Sequence, residues 1–514
     1  MRRLRITILD ITTERPTRAL YARVLNANLA SIMPQALAVW CEQLGHQVHF
    51  VCYTGFEDLL EEVLVPTDVL FVGAFTQAAY LAYAISHLHR RRGAVTILGG
   101  PHARCYPEDA QLHFDYVLGF TDQPLVDEIL RECAPHRPIG MHRSVARQPA
   151  TLPGVRERWK FIAPTIAKAP VFKIVPMIGS LGCPYTCNFC IDSTVPYQPL
   201  GFDQIKEDLR FLLGKIERPI VGWHDPNFGV RFDDYLSAIE EAVPPGRIHF
   251  VAESSLSLLS EPHLARLKRN GFQALLPGVE SWFAMGAKSK TGAAIGLDKV
   301  RQVSSHLNTV LRYIPYVQAN FVLGLDTDEG AAPFELTKQF LDLSPRAFPA
   351  FSLLSAFGRA APMNLELQRQ GRVVPVPFHF LDGSQAMNVR PLNYDWLPFY
   401  DRLLDLEAHA FRLSRLVRCM PAKSAVPRWF NVVRGLSSER YGRMRQHARV
   451  RQLFQTDGAT RRFFDGESRR VPDVLVRRVR QDLGKLWDAL PDDSLTHEAN
   501  AYLLSTGERA AQLA

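Results

Sequence analysis

Cys183, Cys187 and Cys190 stand in the run Gly182-Cys-Pro-Tyr-Thr-Cys-Asn-Phe-Cys190, a C-x3-C-x2-C spacing that puts three thiols within eight residues. A loop so built must fold around whatever the three share. The chain holds eight cysteines, and the other five, Cys41, Cys52, Cys105, Cys133 and Cys419, are scattered singly, so chance is a poor account of the cluster. Structural zinc takes four protein ligands, commonly as two pairs; a four-iron cluster takes one thiolate per iron, and three cysteines leave one iron open to a further ligand. The ligand count favours the iron–sulfur centre over half a zinc site or three ordinary buried cysteines. Such thiolates must stay reduced, and the scattered cysteines outline no disulfide framework, which points to the cytoplasm. Those five read as small core hydrophobes.

At 514 residues the chain exceeds one ordinary core, and 47% apolar with 22% charged residues describes a soluble globular protein of two or three domains. The opening Met1 to Asp10 has a basic flank but too short an apolar stretch for a signal peptide, and reads as a first strand. The longest apolar segment, Val69 to Ile85, is broken at Gly73, Thr76 and Gln77, so a strand, turn and helix fit it better than a membrane span.

From residue 1 to 135, strand-like runs (Leu4 to Leu9, Val48 to Tyr53, Val69 to Ala74, Val95 to Leu98, Tyr116 to Leu118) alternate with helix-like runs near Pro34 to Leu44 and Ala78 to Arg91. This α/β alternation predicts a doubly wound parallel sheet, whose ligands sit beyond the carboxyl ends of the strands. Three loops lie there: Phe75-Thr76-Gln77, Gly99-Gly100-Pro101-His102 and Gly119-Phe120-Thr121-Asp122. Paired glycines let a backbone approach a bulky ligand closely, although a Gly-Gly turn alone is more often a tight connection. No phosphate-binding fingerprint of the Rossmann or P-loop kind is present.

A linker rich in Pro and Arg, about 136 to 172, precedes a second alternating region from 173 to 390. Its strand candidates are Ile174 to Ile178, Ile220 to Trp223, Ile248 to Ala252, Ala274 to Leu276, Val317 to Val322 and Phe351 to Leu354, which predict a full or partial parallel barrel with its chemistry at the C-terminal strand ends. Polar groups fall at those ends: His224-Asp225-Pro226-Asn227-Phe228, Glu253-Ser254-Ser255, Gly278-Val279-Glu280-Ser281 and Asn320 to Gly324. A Glu after a strand is often only a helix cap or a rim ion pair. Lys288 and Lys290 read as solvated loop lysines, and Arg359 as a candidate facing the substrate.

The cysteine run, with the aromatic Phe189 just before the third Cys, resembles the radical S-adenosylmethionine (SAM) enzymes, whose open iron chelates the amino and carboxylate groups of SAM. Ahead of it, Asp68 to Leu118 with Gly99-Gly100-Pro101-His102-Ala103 looks like the cobalamin-binding domain found in many of those enzymes. The resemblance covers about residues 65 to 390. It implies metal ligation by Cys183, Cys187 and Cys190, and SAM contacts from Phe189, Asp225, Asn227, Glu253, Ser255, Glu280, Ser281 and Asn320. Cobalamin contacts fall to Thr76, Gln77, Gly99, Gly100, Pro101, Gly119 and Thr121. His224 to Phe228 is similar to an Asp-Asp-Asn-Phe motif of the cobalamin type, with Pro226 replacing one Asp. The Asp-x-His-x-x-Gly motif that supplies a lower axial histidine in better-known cobalamin domains is absent, and His102 reads as a loop hydrogen-bonding residue rather than its substitute.

The resemblance implies a [4Fe-4S] enzyme that cleaves SAM to a 5'-deoxyadenosyl radical and, with cobalamin, transfers a methyl group to an unactivated carbon of a small molecule. Its partner would be a cellular one-electron reductant. One alternative is cyclisation, ring rearrangement or oxidation without methyl transfer. Another is an RNA-binding or RNA-modifying protein with a degenerate front domain, weakened by the lack of a second Cys cluster and of an aromatic RNA-recognition signature. Residues 391 to 514 read as helical, with breaks near Pro421, Pro427, Gly458 and Pro472. Residues 411 to 480 carry 18 basic against 5 acidic side chains, which reads first as a solvated helical face and second as a hint of an anionic substrate.

Overall fold

The computed structural model describes residues 3–17, 30–133, 141–145, 147–169, 171–420 and 429–498. Six parallel strands, β1 (Arg5–Ile11), β2 (Gln47–Tyr53), β3 (Val69–Ala74), β4 (Val95–Gly99), β5 (Tyr116–Leu118) and β6 (Met141–Arg143), form the first sheet in the order β2-β1-β3-β4-β5-β6. Side chains alternate across it. Ile6, Ile8, Val69 and Phe71 face a core completed by Val39 and Trp40 of helix Ile32–Gln43 and by Val126 and Ile129 of helix Gln123–Glu132. Leu9, Ile11, Leu70 and Val72 face the opposite way, toward helix Ala79–Arg91 and the main core. The strand order reverses between β1 and β3, which opens a crevice beyond their carboxyl ends.

The stretch expected as a linker is structured. β6 extends the first sheet beside β5, and helix Val155–Ala167 lies against helix Ile32–Gln43, with Arg158 donating to Gln35 Oε1 at 2.7 Å. The backbone N–H of Val155 also donates to Asp208 Oδ1 of the next domain, so this helix ties the two together.

The second sheet runs β7 (Ile174–Met177), β8 (Ile220–Trp223), β9 (His249–Ala252), β10 (Phe272–Leu275), β11 (Gly278–Glu280), β12 (Tyr316–Leu323) and β13 (Phe348–Leu353), all parallel, with β11 continuing β10 along β12. Helices join most of these strands. Gly296–Tyr313 is typical, burying Val300, Val303, Leu307 and Val310 at helical spacing. Among the described residues no strand pairs β13 with β7, so the barrel is partial. The free edge of β13 is covered by the C-terminal helices: Arg415 donates to Ala347 O at 2.6 Å and Arg443 to Phe351 O at 3.5 Å. Phe430 meets Phe172, just before β7, at a ring separation of 5.3 Å and so bridges the gap.

The C-terminal helices include Trp396–Ala410, Met444–Thr456, Gly458–Phe464 and Asp473–Leu483. The expected break at Gly458 falls where Asp457 caps a new helix, and Pro472 stands at the N-cap of another; Pro421 and Pro427 lie outside the described residues. Among the described residues no helix is long and apolar enough to cross a membrane.

Candidate active site

The loop from β7 carries the three cysteines. A short antiparallel pair, Ser180–Leu181 with Gln198–Pro199, closes its base, and turns inside it run from Cys190 N to Cys187 O at 2.9 Å and from Ser193 N to Cys190 O at 3.3 Å. The three thiols line one cavity of about 210 Å³ with Phe189, Asn227, Glu253, Ser255, Glu280 and Asn320. All three are free. Burial pushes the Cys190 thiol up to about 11 and raises that of Cys187. Among the described residues no three His, Cys, Asp or Glu side chains gather closely enough for a single metal ion; the thiols are set around a space instead.

Polar atoms in this cavity lack protein partners. Asn227 accepts from the backbone of Ser255 at 2.9 Å, which leaves its Nδ2 unsatisfied, and Ser255 Oγ is unsatisfied too. Lys288, expected as a solvated lysine, is instead drawn inward: its Nζ lies 2.5 Å from Glu280 Oε1 and its side chain is only 22% exposed. Glu280 has φ of +64°, a left-handed conformation that a non-glycine residue adopts at a cost and that aims its carboxylate into the cavity. Protein crowding raises the pKa of Glu253. Two carboxylates, one ammonium and free amide and hydroxyl donors suit a zwitterionic ligand such as the methionine end of SAM, and three thiols set around a space suit a multi-iron cluster.

Two residues expected in this cavity are elsewhere. Asp225 is turned back to hold the loop base, accepting from Gly179 N at 3.0 Å, Ser180 Oγ at 2.6 Å and Tyr235 OH, so its carboxylate is already satisfied. Ser281 accepts from Phe283 N at 3.1 Å, and its carbonyl takes the Lys299 ammonium at 2.6 Å.

A second cavity, of about 540 Å³, lies beyond the carboxyl ends of the first sheet. Gly99, Gly100, Pro101, Gly119 and Thr121 line it as the strand pattern predicts, with Asp10 at the switch point, its pKa raised to about 6 by burial. Thr76 and Gln77 do not: the chain turns into a short 3-10 helix at Thr76, and Phe75, 43% exposed, takes the wall. His102 points away, fully buried and 2.6 Å from Tyr83 OH. Ile178 and His224 of the barrel form the far wall. The His224 side chain is open to the cavity and makes no hydrogen bond to any described residue, and the protein around it, with Arg158 beyond, lowers its pKa. A Cβ built on Gly99 would meet no protein atom nearer than 3.9 Å, so the space beyond it is available to a ligand.

Arg104 joins the cavities. It lines the second, lies 4.8 Å over the Phe120 ring, and donates to Asp192 Oδ1 at 2.9 Å and Ile191 O at 2.7 Å on the cluster loop. No signal in the sequence pairs residues 88 apart, so Arg104 was not legible. Lys288 and His224 stood next to recognised motifs.

The fold is shared with solved cobalamin-dependent radical SAM enzymes. The chain is similar over 88% of its length, and 99% of the other, to the radical SAM methyltransferase TsrM from Kitasatospora setae with tryptophan and a SAM analogue bound, at TM-score 0.55 and 14% identity. It is similar over 98% of its length, and 85% of the other, to the cobalamin-dependent radical enzyme OxsB with aqua-cobalamin and SAM bound, at TM-score 0.53 and 13% identity. In sequence it resembles two Chlorobaculum tepidum enzymes. One is the bacteriochlorophyllide d C-12(1)-methyltransferase, 23% identical over 296 residues, 56% of this chain and 64% of that one. The other is the C-8(2)-methyltransferase, 26% identical over 234 residues, 42% of this chain and 50% of that one. The matches thus span less than two thirds of these relatives. No protein-family profile matches the chain.

Proposed function

We propose that this chain is a cobalamin-dependent radical SAM enzyme that methylates an unactivated carbon of a small molecule in a reducing cytoplasm, drawing single electrons from a cellular reductant. The observation that carries the reading is the placement of a thiol-lined cavity and a crevice of about 540 Å³ beyond the first sheet on either side of one joint, Arg104 to Asp192. Its support also includes the methyltransferase names of the sequence relatives.

Bound there, the cluster with SAM supplies hydrogen-atom abstraction and the corrin supplies a methyl group; the protein's work is placement. Cys183, Cys187 and Cys190 hold the iron. Glu280 and Glu253 take an ammonium, Lys288 balances the carboxylates, and Asn227, Ser255 and Asn320 orient the remaining polar groups. Gly99, Gly100 and Gly119 keep the crevice floor low, and His224 offers a neutral hydrogen-bonding edge to what lies between the cavities. A substrate enclosed between the two walls is kept from water, which protects a radical reaction from side paths.

The test is anaerobic turnover with SAM carrying an isotopic methyl group, with Cys187→Ala as a control expected to release no 5'-deoxyadenosine. Label in the product supports methyl transfer. Release of 5'-deoxyadenosine with unlabelled product would instead favour cyclisation, rearrangement or oxidation.

A further inference from the structure

We infer that the C-terminal helices hold a separate binding site for an amphiphilic carboxylate, a small molecule with one anionic head and an apolar body. A cleft of about 370 Å³ is lined by Arg15, from the loop after β1, and by Arg443, Arg445, Arg449 and Arg478. Asp382, on the same wall, is already engaged: it accepts from the backbone N–H and side chain of both Ser384 and Gln385. Arg443 is held by Glu439 at 3.3 Å, and Asp482 takes Arg478 at 2.8 Å and Arg15 at 3.7 Å. Arg445 and Arg449 meet no carboxylate among the described residues; Arg445 lies 4.8 Å over the Tyr441 ring. Two guanidinium groups are thereby left to a ligand, and their planar forks match a carboxylate.

The cleft continues into a hollow of about 410 Å³ that shares Gln385, Gln446, Arg449 and Arg478 with it. The other walls of the hollow are mostly apolar, with Val376, Phe380, Val450, Leu453, Phe464 and Val474, and Gln452, Thr456 and Thr460 among them. A cationic mouth over an apolar hollow selects a ligand with both characters, because an apolar body gains by leaving water and the head is paired where it stops. A third observation is independent of charge. Gly435–Arg443 is a π-helix nine residues long, and Ser438, Tyr441, Gly442 and Arg443 from it form the cleft wall. π-Geometry is rare, occurs mostly as single turns and is frequent at functional sites. The inference does not rest on the methyl-transfer reading, since neither cofactor cavity contributes to this site.

The test is fluorescence titration of the full chain with dansylaminoundecanoic acid and, in parallel, with its uncharged amide. The expected result is saturable binding of the acid that weakens about tenfold in the Arg445→Gln/Arg449→Gln variant, a loss on the order of one charge-assisted hydrogen bond. The amide should be indifferent to that change, while Val474→Asp should weaken both probes with circular dichroism unchanged. Absence of saturable binding, or an equal loss of acid and amide in the double arginine variant, would overturn the site.

Discussion

The guanidinium of Arg104 lies 2.9 Å from the carboxylate of Asp192, two residues past Cys190, and so pins the crevice loops of the first sheet to the cysteine loop of the second. Asp192 also directs its backbone N–H toward Cys190 Sγ at 3.4 Å, so the contact reaches the thiol itself.

Arg104→Ala should therefore leave iron and corrin content unchanged while uncoupling the two halves of the reaction. A partly buried ion pair of this kind contributes roughly 1 kcal/mol, enough to lower product per 5'-deoxyadenosine released about fivefold. Measuring both products in one assay checks it; an unchanged ratio would mean that the pair is only a surface tie.

Glu280→Gln should weaken SAM binding about tenfold, the loss of one charged partner, with full iron retained. The change keeps the side chain's shape and the strained φ of +64°, so fold effects are small. Equilibrium binding of SAM to the reconstituted protein reads it directly, and unchanged affinity would remove Glu280 from the site.

Buried His102, 2.6 Å from Tyr83 OH, contributes a part of the stability that is lost in acid, opposed by Asp109, which accepts from the same hydroxyl and whose pKa burial raises to about 7. Burial pushes the His102 imidazole down to about 3, so the folded chain refuses a proton that the unfolded chain takes up below its ordinary value of about 6.5. Its contribution is whole above that value and is lost as pH falls toward about 3. Between pH 6.5 and 5 the loss is about 2 kcal/mol. Urea unfolding at pH 7 and pH 5 should show a smaller loss for His102→Gln than for the parent chain, and an equal loss would contradict the assignment.

The two glycines of the crevice floor should separate fold from ligand. Gly100 has φ of +90°, and a Cβ there would lie 2.9 Å from Ala74 O, so Gly100→Ala should destabilise the chain by about 1–2 kcal/mol in thermal unfolding. A Cβ at Gly99 makes only an ordinary contact, 3.9 Å from Leu118 O, and the position lines the crevice, so Gly99→Leu should fold normally but retain less corrin with iron unchanged.

Much of this was legible because it is local. The cysteine spacing, the alternation of strands and the polar residues at strand ends are all set within a dozen residues, and apart from β6 and β11, which the pattern did not show, the strands of both sheets lie within a few residues of where hydrophobic pattern puts them. What failed depended on direction or distance. Asp225 sits in its motif but turns toward Gly179, 46 residues back in sequence, because a buried carboxylate takes the nearest donors. Thr76 and Gln77 were displaced by one turn of helix, which leaves Phe75 on the wall. The Pro- and Arg-rich stretch hides a helix with Pro164 inside it, where composition argues against one and packing on the helix Ile32–Gln43 prevails.

The most direct test of the central claim is to reconstitute the protein anaerobically with iron, sulfide and hydroxocobalamin, desalt it, and measure iron, sulfide and the absorbance of the corrin. The account predicts about four irons, as a [4Fe-4S] cluster requires, together with one corrin per chain. A full iron complement with no retained corrin would contradict it, leaving the crevice beyond Gly99 as a site for something else.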